Sequence, residues 1–132
     1  MKKLQLAAIA AFVMLGSSAA FADACLDSYT KDVEPIVSKK CVSCHNDASA
    51  TSGVSFTKGS GYANLVNIAS EELPTMNRVT PGDSEQSYLA HKLLGTHESV
   101  GGSGTKMPPA GSLSDKDIAT VVAWINGCAA TP

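Results

Sequence analysis

Residues 41–45 read Cys-Val-Ser-Cys-His, and no other stretch restricts the fold as much. Two thiols three positions apart, with a histidine directly after the second, have the spacing for covalent haem attachment. Each sulfur forms a thioether with one vinyl group, and the histidine lies under the iron as proximal axial ligand. A chain carrying this motif has to fold around a large flat cofactor. Two other uses of a Cys-x-x-Cys pair fit less well. A thioredoxin-like redox pair sits in an αβ framework that this sequence lacks. A zinc site needs a second ligand pair, and none follows at suitable spacing.

The amino terminus agrees with that reading. Met1, Lys2 and Lys3 form a positive start, Leu4 to Leu15 is apolar except for Gln5, and Gly16-Ser17-Ser18 breaks the run. Ala20-Phe21-Ala22 then places small residues at both positions a signal peptidase reads. The pattern predicts a signal peptide over residues 1–22, cut after Ala22, and one domain over residues 23–132. A retained membrane anchor needs about 20 apolar residues, more than this run supplies. The chain is therefore expected in the periplasm, with no stable membrane insertion after cleavage. Bacteria attach c-type haem outside the cytoplasm, so motif and export signal support one another.

Cleavage removes Lys2 and Lys3, which takes ten basic residues to eight against twelve acidic ones, a net charge of −4. That balance argues against nucleic acid as a partner, since phosphate binding needs a clustered basic face. Only 5% of the residues are aromatic and 11 are glycine. Residues 46–61 and 95–112 are rich in Gly, Ser, Thr and Pro. So much loop in so short a chain implies that something besides side chains fills its centre.

Four segments read as helix. Over residues 26–39, Tyr29, Val33, Ile36 and Val37 share one apolar face, with Pro35 predicting a kink or a late start. Residues 61–68 form a short helix with Tyr62, Leu65, Val66 and Ile68 as its apolar members. Residues 84–94 form another, capped by Asp83 or Ser84 and stopped by Gly95. In the last helix Ser114 is the N-cap with Asp117 three residues on, and Ile118, Val121, Val122 and Ile125 make the buried stripe. Residues 54–57 alternate like a strand but are too few to form one.

The far side of the iron needs its own ligand or stays open. Met76, Met107, His91 and His97 are the candidates. Met107 stands out because Pro108-Pro109 stiffen its loop and no helical face explains it. Met76 follows Pro74 in a polar turn. His91 lies among apolar helix residues, where a histidine is more often packed. His97 lies beside Glu98 in a loop, where it is more often solvated.

The stretches CVSCHN (41–46), GVSF (53–56), VTPGDSEQSYLAHKL (79–93), KMPP (106–109) and LSDKDIATVVAWINGC (113–128) follow one another in a familiar order. The chain resembles the small monohaem c-type cytochromes of the bacterial periplasm, in particular those with a Val-x-Pro-Gly-Asp segment, a Met-Pro-Pro loop and a C-terminal Trp-Ile helix. The resemblance implies an all-α, class I cytochrome c-like fold. Three to four helices with long loops would surround one covalently bound haem c per chain, with the first and last helices crossing. It implies His45 and Met107 as proximal and distal iron ligands. One departure is Cys128, where the family usually has a small residue. Because the implied fold packs the first helix on the last, Cys25 and Cys128 are a candidate disulfide, permitted by export. Asp23 makes the residues before Cys25 a poor lipidation signal.

An iron with two protein ligands has no open position for a substrate, so the expected role is one-electron transfer with redox proteins met transiently, not enzyme catalysis. The alternative is a small-gas binding or sensing module with a displaceable Met107, for which the glycine-rich residues 99–105 leave room. Arg78 is a candidate partner for a haem propionate, and Trp124 a candidate packing residue for the ring.

Overall fold

The computed structural model describes residues 17–128, so residues 1–16 of the expected signal segment lie outside the described residues. Helix α1 (Ser17–Ser28) passes through the expected cleavage point after Ala22. It continues through one π-helical turn, Tyr29–Val33, into α2 (Glu34–Lys40). The π turn answers the problem set by Pro35, which lies in the first turn of α2. In a regular helix a proline ring collides with the carbonyl four residues back. Here the ladder widens, and the Glu34 N–H donates to Tyr29 O five residues back.

The same widening keeps a face aligned. Cys25, Tyr29, Val33 and Val37 are all buried and lie four residues apart. A four-residue spacing drifts around a helix of 3.6 residues per turn. The π turn absorbs part of that drift, so all four side chains stay inward.

They pack on α5 (Asp115–Gly127), whose Val121, Trp124 and Ile125 are buried. The Tyr29 and Trp124 rings lie 5.2 Å apart. The Trp124 indole N–H donates to Cys25 O at 3.1 Å, satisfying a buried polar group on each side. Cys25 and Cys128 end this contact with Cα atoms 5.1 Å apart and their sulfurs joined, across 103 positions of sequence. The crossing of first and last helices is thus present. Ser114 caps α5 as expected, its Oγ accepting from Asp117 N–H at 3.1 Å.

Two shorter helices complete the shell. Helix α3 (Gly61–Leu65) ends three residues before the expected Ile68. Val66 is extended and bridges Val79, and Asn67 turns the chain at φ +58°. Gly61 lets α3 begin against the Tyr29 hydroxyl, which a Cβ at this position would overlap. Helix α4 (Tyr88–Leu94) starts four residues later than expected. Asp83 does not cap it. Its Oδ1 accepts from Gln86 N–H, and the Ser87 hydroxyl donates back to Asp83 O, which holds residues 83–87 as a turn. Gly95, at φ +77°, stops α4 as predicted. Residues 54–57 form no strand, and among the described residues β pairing is limited to isolated bridges. The fold is all-α.

Candidate cofactor site

The motif follows α2 without a break. Cys41 N–H donates to Val37 O at 2.9 Å and His45 N–H to Cys41 O at 3.0 Å, so residues 41–45 coil as turns. Cys41, Cys44 and His45 come to the wall of one cavity of about 350 Å³, a size usual for small-molecule sites. Met107, Pro108 and Pro109 line the same cavity. Ile36, Val37, Phe56, Leu65, Leu89, Leu93, Leu113 and Val121 are among its apolar lining.

His45 is oriented from behind. Its Nδ1 lies 3.0 Å from Thr51 O, and a carbonyl can only accept, so Nδ1 carries the proton. In the neutral ring Nε2 then keeps its lone pair, as metal ligation requires. Among the described residues Nε2 has no hydrogen-bond partner. The Phe56 ring meets His45 edge-on at 5.8 Å, and Phe56 N–H donates to His45 O at 2.8 Å. Burial, and then the neighbouring Cys44, pushes the free Cys41 thiol up to about 11. Both cysteines are unpaired with each other.

One part of the wall is polar. Arg78 is buried and donates to Asn64 O at 2.9 Å and Ser52 O at 3.2 Å, with Glu71 at 3.9 Å. Its Nε is buried without a partner. An unpaired guanidinium N–H beside an apolar cavity is an unused donor for an anion. Lys92 is buried too, and its Nζ lies 2.8 Å from Glu72 Oε2. Burial alone would raise the Glu72 carboxyl. Hydrogen bonds from Lys92 and Tyr88, the Lys92 charge and the Ser52 hydroxyl outweigh it and hold the carboxyl below its ordinary value.

This donor set fits a covalently held haem. Two thiols, a histidine of the right tautomer and a thioether share one apolar cavity with an orphaned cationic donor. The other candidates are elsewhere. His91 lies between Thr96 Oγ1 and Glu85 O at 2.7 and 2.9 Å, and Met76 is half-buried outside the cavity. His97 is buried rather than solvated, with Nε2 3.1 Å from Gly104 O. Trp124 packs on Tyr29 and is not a cavity residue. Sequence reasoning missed Glu72 and Lys92. Each is an ordinary charged residue in its own stretch, and only the tertiary pairing across 20 positions marks them.

A family model described as cytochrome C oxidase, cbb3-type, subunit III matches residues 30–125. The chain belongs to this family. It is a monohaem c-type cytochrome domain with the all-α cytochrome fold, and the family implies covalently bound haem c with iron and haem-based electron transfer. No curated protein and no solved structure matches the chain. No helix among the described residues is long and apolar enough to cross a membrane.

Proposed function

We propose that this protein is a periplasmic one-electron carrier with one haem per chain. Cys41 and Cys44 form the thioethers, and His45 and Met107 are the axial ligands. The observation that carries the reading is that all four side chains line one apolar cavity. When bound, the haem supplies a single-electron Fe(II)/Fe(III) couple. The chain's residues do the rest. Thr51 O fixes the His45 ring and its tautomer. Met107 is tethered by its N–H to Lys92 O at 2.9 Å, which limits how far its thioether moves. Apolar walls exclude water, and a low-dielectric surround limits reorganisation when charge changes. Arg78 Nε is suited to a propionate.

A closed iron with two protein ligands leaves no position for substrate, so the protein transfers electrons rather than catalysing a reaction. Its partners are redox proteins met transiently, in keeping with a matched family named for an oxidase subunit. We further infer export by a signal peptide cut after Ala22 and a Cys25–Cys128 bridge in the mature protein. The test is Met107→Ala in a host that attaches c-type haem. The near-infrared iron–thioether band should vanish while haem stays covalently bound in a pyridine haemochrome assay. A band that survives points away from Met107.

A further inference from the structure

The segment that presents Met107 has little to pack with. Gly101, Gly102 and Gly104 lie just before it, and residues 101 and 103–106 are exposed. Its anchorage is polar instead. Ser103 N–H donates to the Tyr88 hydroxyl at 3.2 Å, and Lys92 Nζ donates to Ser103 O at 3.0 Å. Lys92 also accepts the Met107 N–H on its own backbone carbonyl, at 2.9 Å. Tyr88 and Lys92 lie one turn apart on α4. Both converge on a single carboxylate oxygen, Glu72 Oε2, at 2.9 and 2.8 Å. Ser52 Oγ donates to the other oxygen at 3.3 Å. Glu72 thus aims two of the side chains that grip the loop, and His97 Nε2 adds a third contact, 3.1 Å from Gly104 O. The loop lies directly on this cluster. A Cβ at Gly104 would meet Lys92 Nζ at 3.1 Å and Glu72 Oε1 at 3.2 Å.

We propose that Glu72, with Tyr88 and Lys92, forms a latch that sets how readily Met107 leaves the iron. The proposal rests on Met107 being the distal ligand. These are positioning residues: they act on the loop backbone. With the carboxylate in place, both α4 side chains are held in the geometry that binds Ser103. Without it, Lys92 is a buried cation with one partner fewer, and the Tyr88 hydroxyl keeps as acceptor only the more distant Ser103 O, at 3.3 Å. The loop then has few apolar contacts to keep it closed, and local opening becomes easier than global unfolding.

The test measures carbon monoxide association with the reduced holoprotein and the near-infrared thioether band of the oxidised one. Glu72→Gln, Tyr88→Phe and Glu98→Gln are compared with the unaltered protein. Glu72→Gln should speed carbon monoxide association about tenfold or more, the factor that losing one hydrogen bond to a charged group carries. Tyr88→Phe, which keeps the ion pair and the side-chain shape, should speed it less and serves if Glu72→Gln fails to fold. Glu98→Gln, exposed in the 3-10 turn His97–Val100 just before the loop, should match the unaltered protein. The latch is overturned if association and band are unchanged in both latch variants, or if they lose stability towards denaturant without faster association. Met107→Ala separates the two ideas. A band lost there, with association and band both unchanged in the latch variants, sinks the latch alone, whereas a band that survives Met107→Ala sinks the ligand assignment beneath it.

Discussion

The contact between α1 and α5 and the loop before Met107 are held in opposite ways. The helix contact is aromatic and aliphatic, with Tyr29, Val33, Val121 and Ile125 almost inaccessible to water and Cys25 and Cys128 brought together at its end. The loop is anchored by directed hydrogen bonds: the Ser103 N–H donates to the Tyr88 hydroxyl and Lys92 Nζ donates to Ser103 O. Apolar burial is non-directional and grows with area, so the first contact is spread over many atoms. Hydrogen bonds to a glycine-rich segment act at single points and are released singly. The first arrangement suits a frame that must not move, and the second suits a segment whose position sets what reaches the iron.

Breaking the frame should therefore alter stability and leave the iron's access alone. The largest effect expected is from replacing both cystine residues, Cys25→Ser with Cys128→Ser. Closing a loop of roughly 100 residues confers about 4–5 kcal/mol by chain entropy, and denaturant unfolding should show a loss of that order. Carbon monoxide association should not change. A large change in association would mean that frame and loop open as one unit.

Gly61→Ala probes the frame at a single atom. The added methyl overlaps the Tyr29 hydroxyl, which is buried without a hydrogen-bond partner on a ring that meets those of Tyr62 and Trp124. Relieving the overlap means moving a ring at the helix crossing, at a cost of about 1–3 kcal/mol. Adding Tyr29→Phe removes the atom in the way and should restore most of the loss. If that second change restores nothing, the strain lies in the α3 backbone and not in the frame.

The frame and the motif were legible because their signals are local. Cys-Val-Ser-Cys-His, the Ser114 cap and the α5 stripe each lie within a few residues, and helical spacing carries them into the structure. Boundaries failed where a side chain competed with the helix. Asp83 and Ser87 closed a turn on themselves and delayed α4, and Asn67 took a positive φ that let Val66 pair with Val79. Pro35 announced an irregularity, but its form depended on the buried face against α5. The polar side of the cavity was the least legible. Glu72 follows another glutamate in a polar turn, Lys92 sits at a helix position that reads as exposed, and nothing local joins them. Even Met107 was singled out by the prolines after it, not by the carbonyl of Lys92 that holds it.

Ser114→Ala should have the smallest effect, and it falls where the two regions meet. The chain leaves Met107, passes the buried Leu113 and enters α5 at the Ser114 cap. Losing the side-chain acceptor for Asp117 N–H costs about 1 kcal/mol. The first turn of α5 ends at Ile118, which packs on the core, while Trp124 and Cys128 lie two and three turns further on. Fraying confined to that first turn should lower the unfolding midpoint slightly and leave the thioether band intact, because the latch grips the loop on the other side of Met107. A weakened band with an unchanged midpoint would place Ser114 with the loop and move the seam between the two regions into α5.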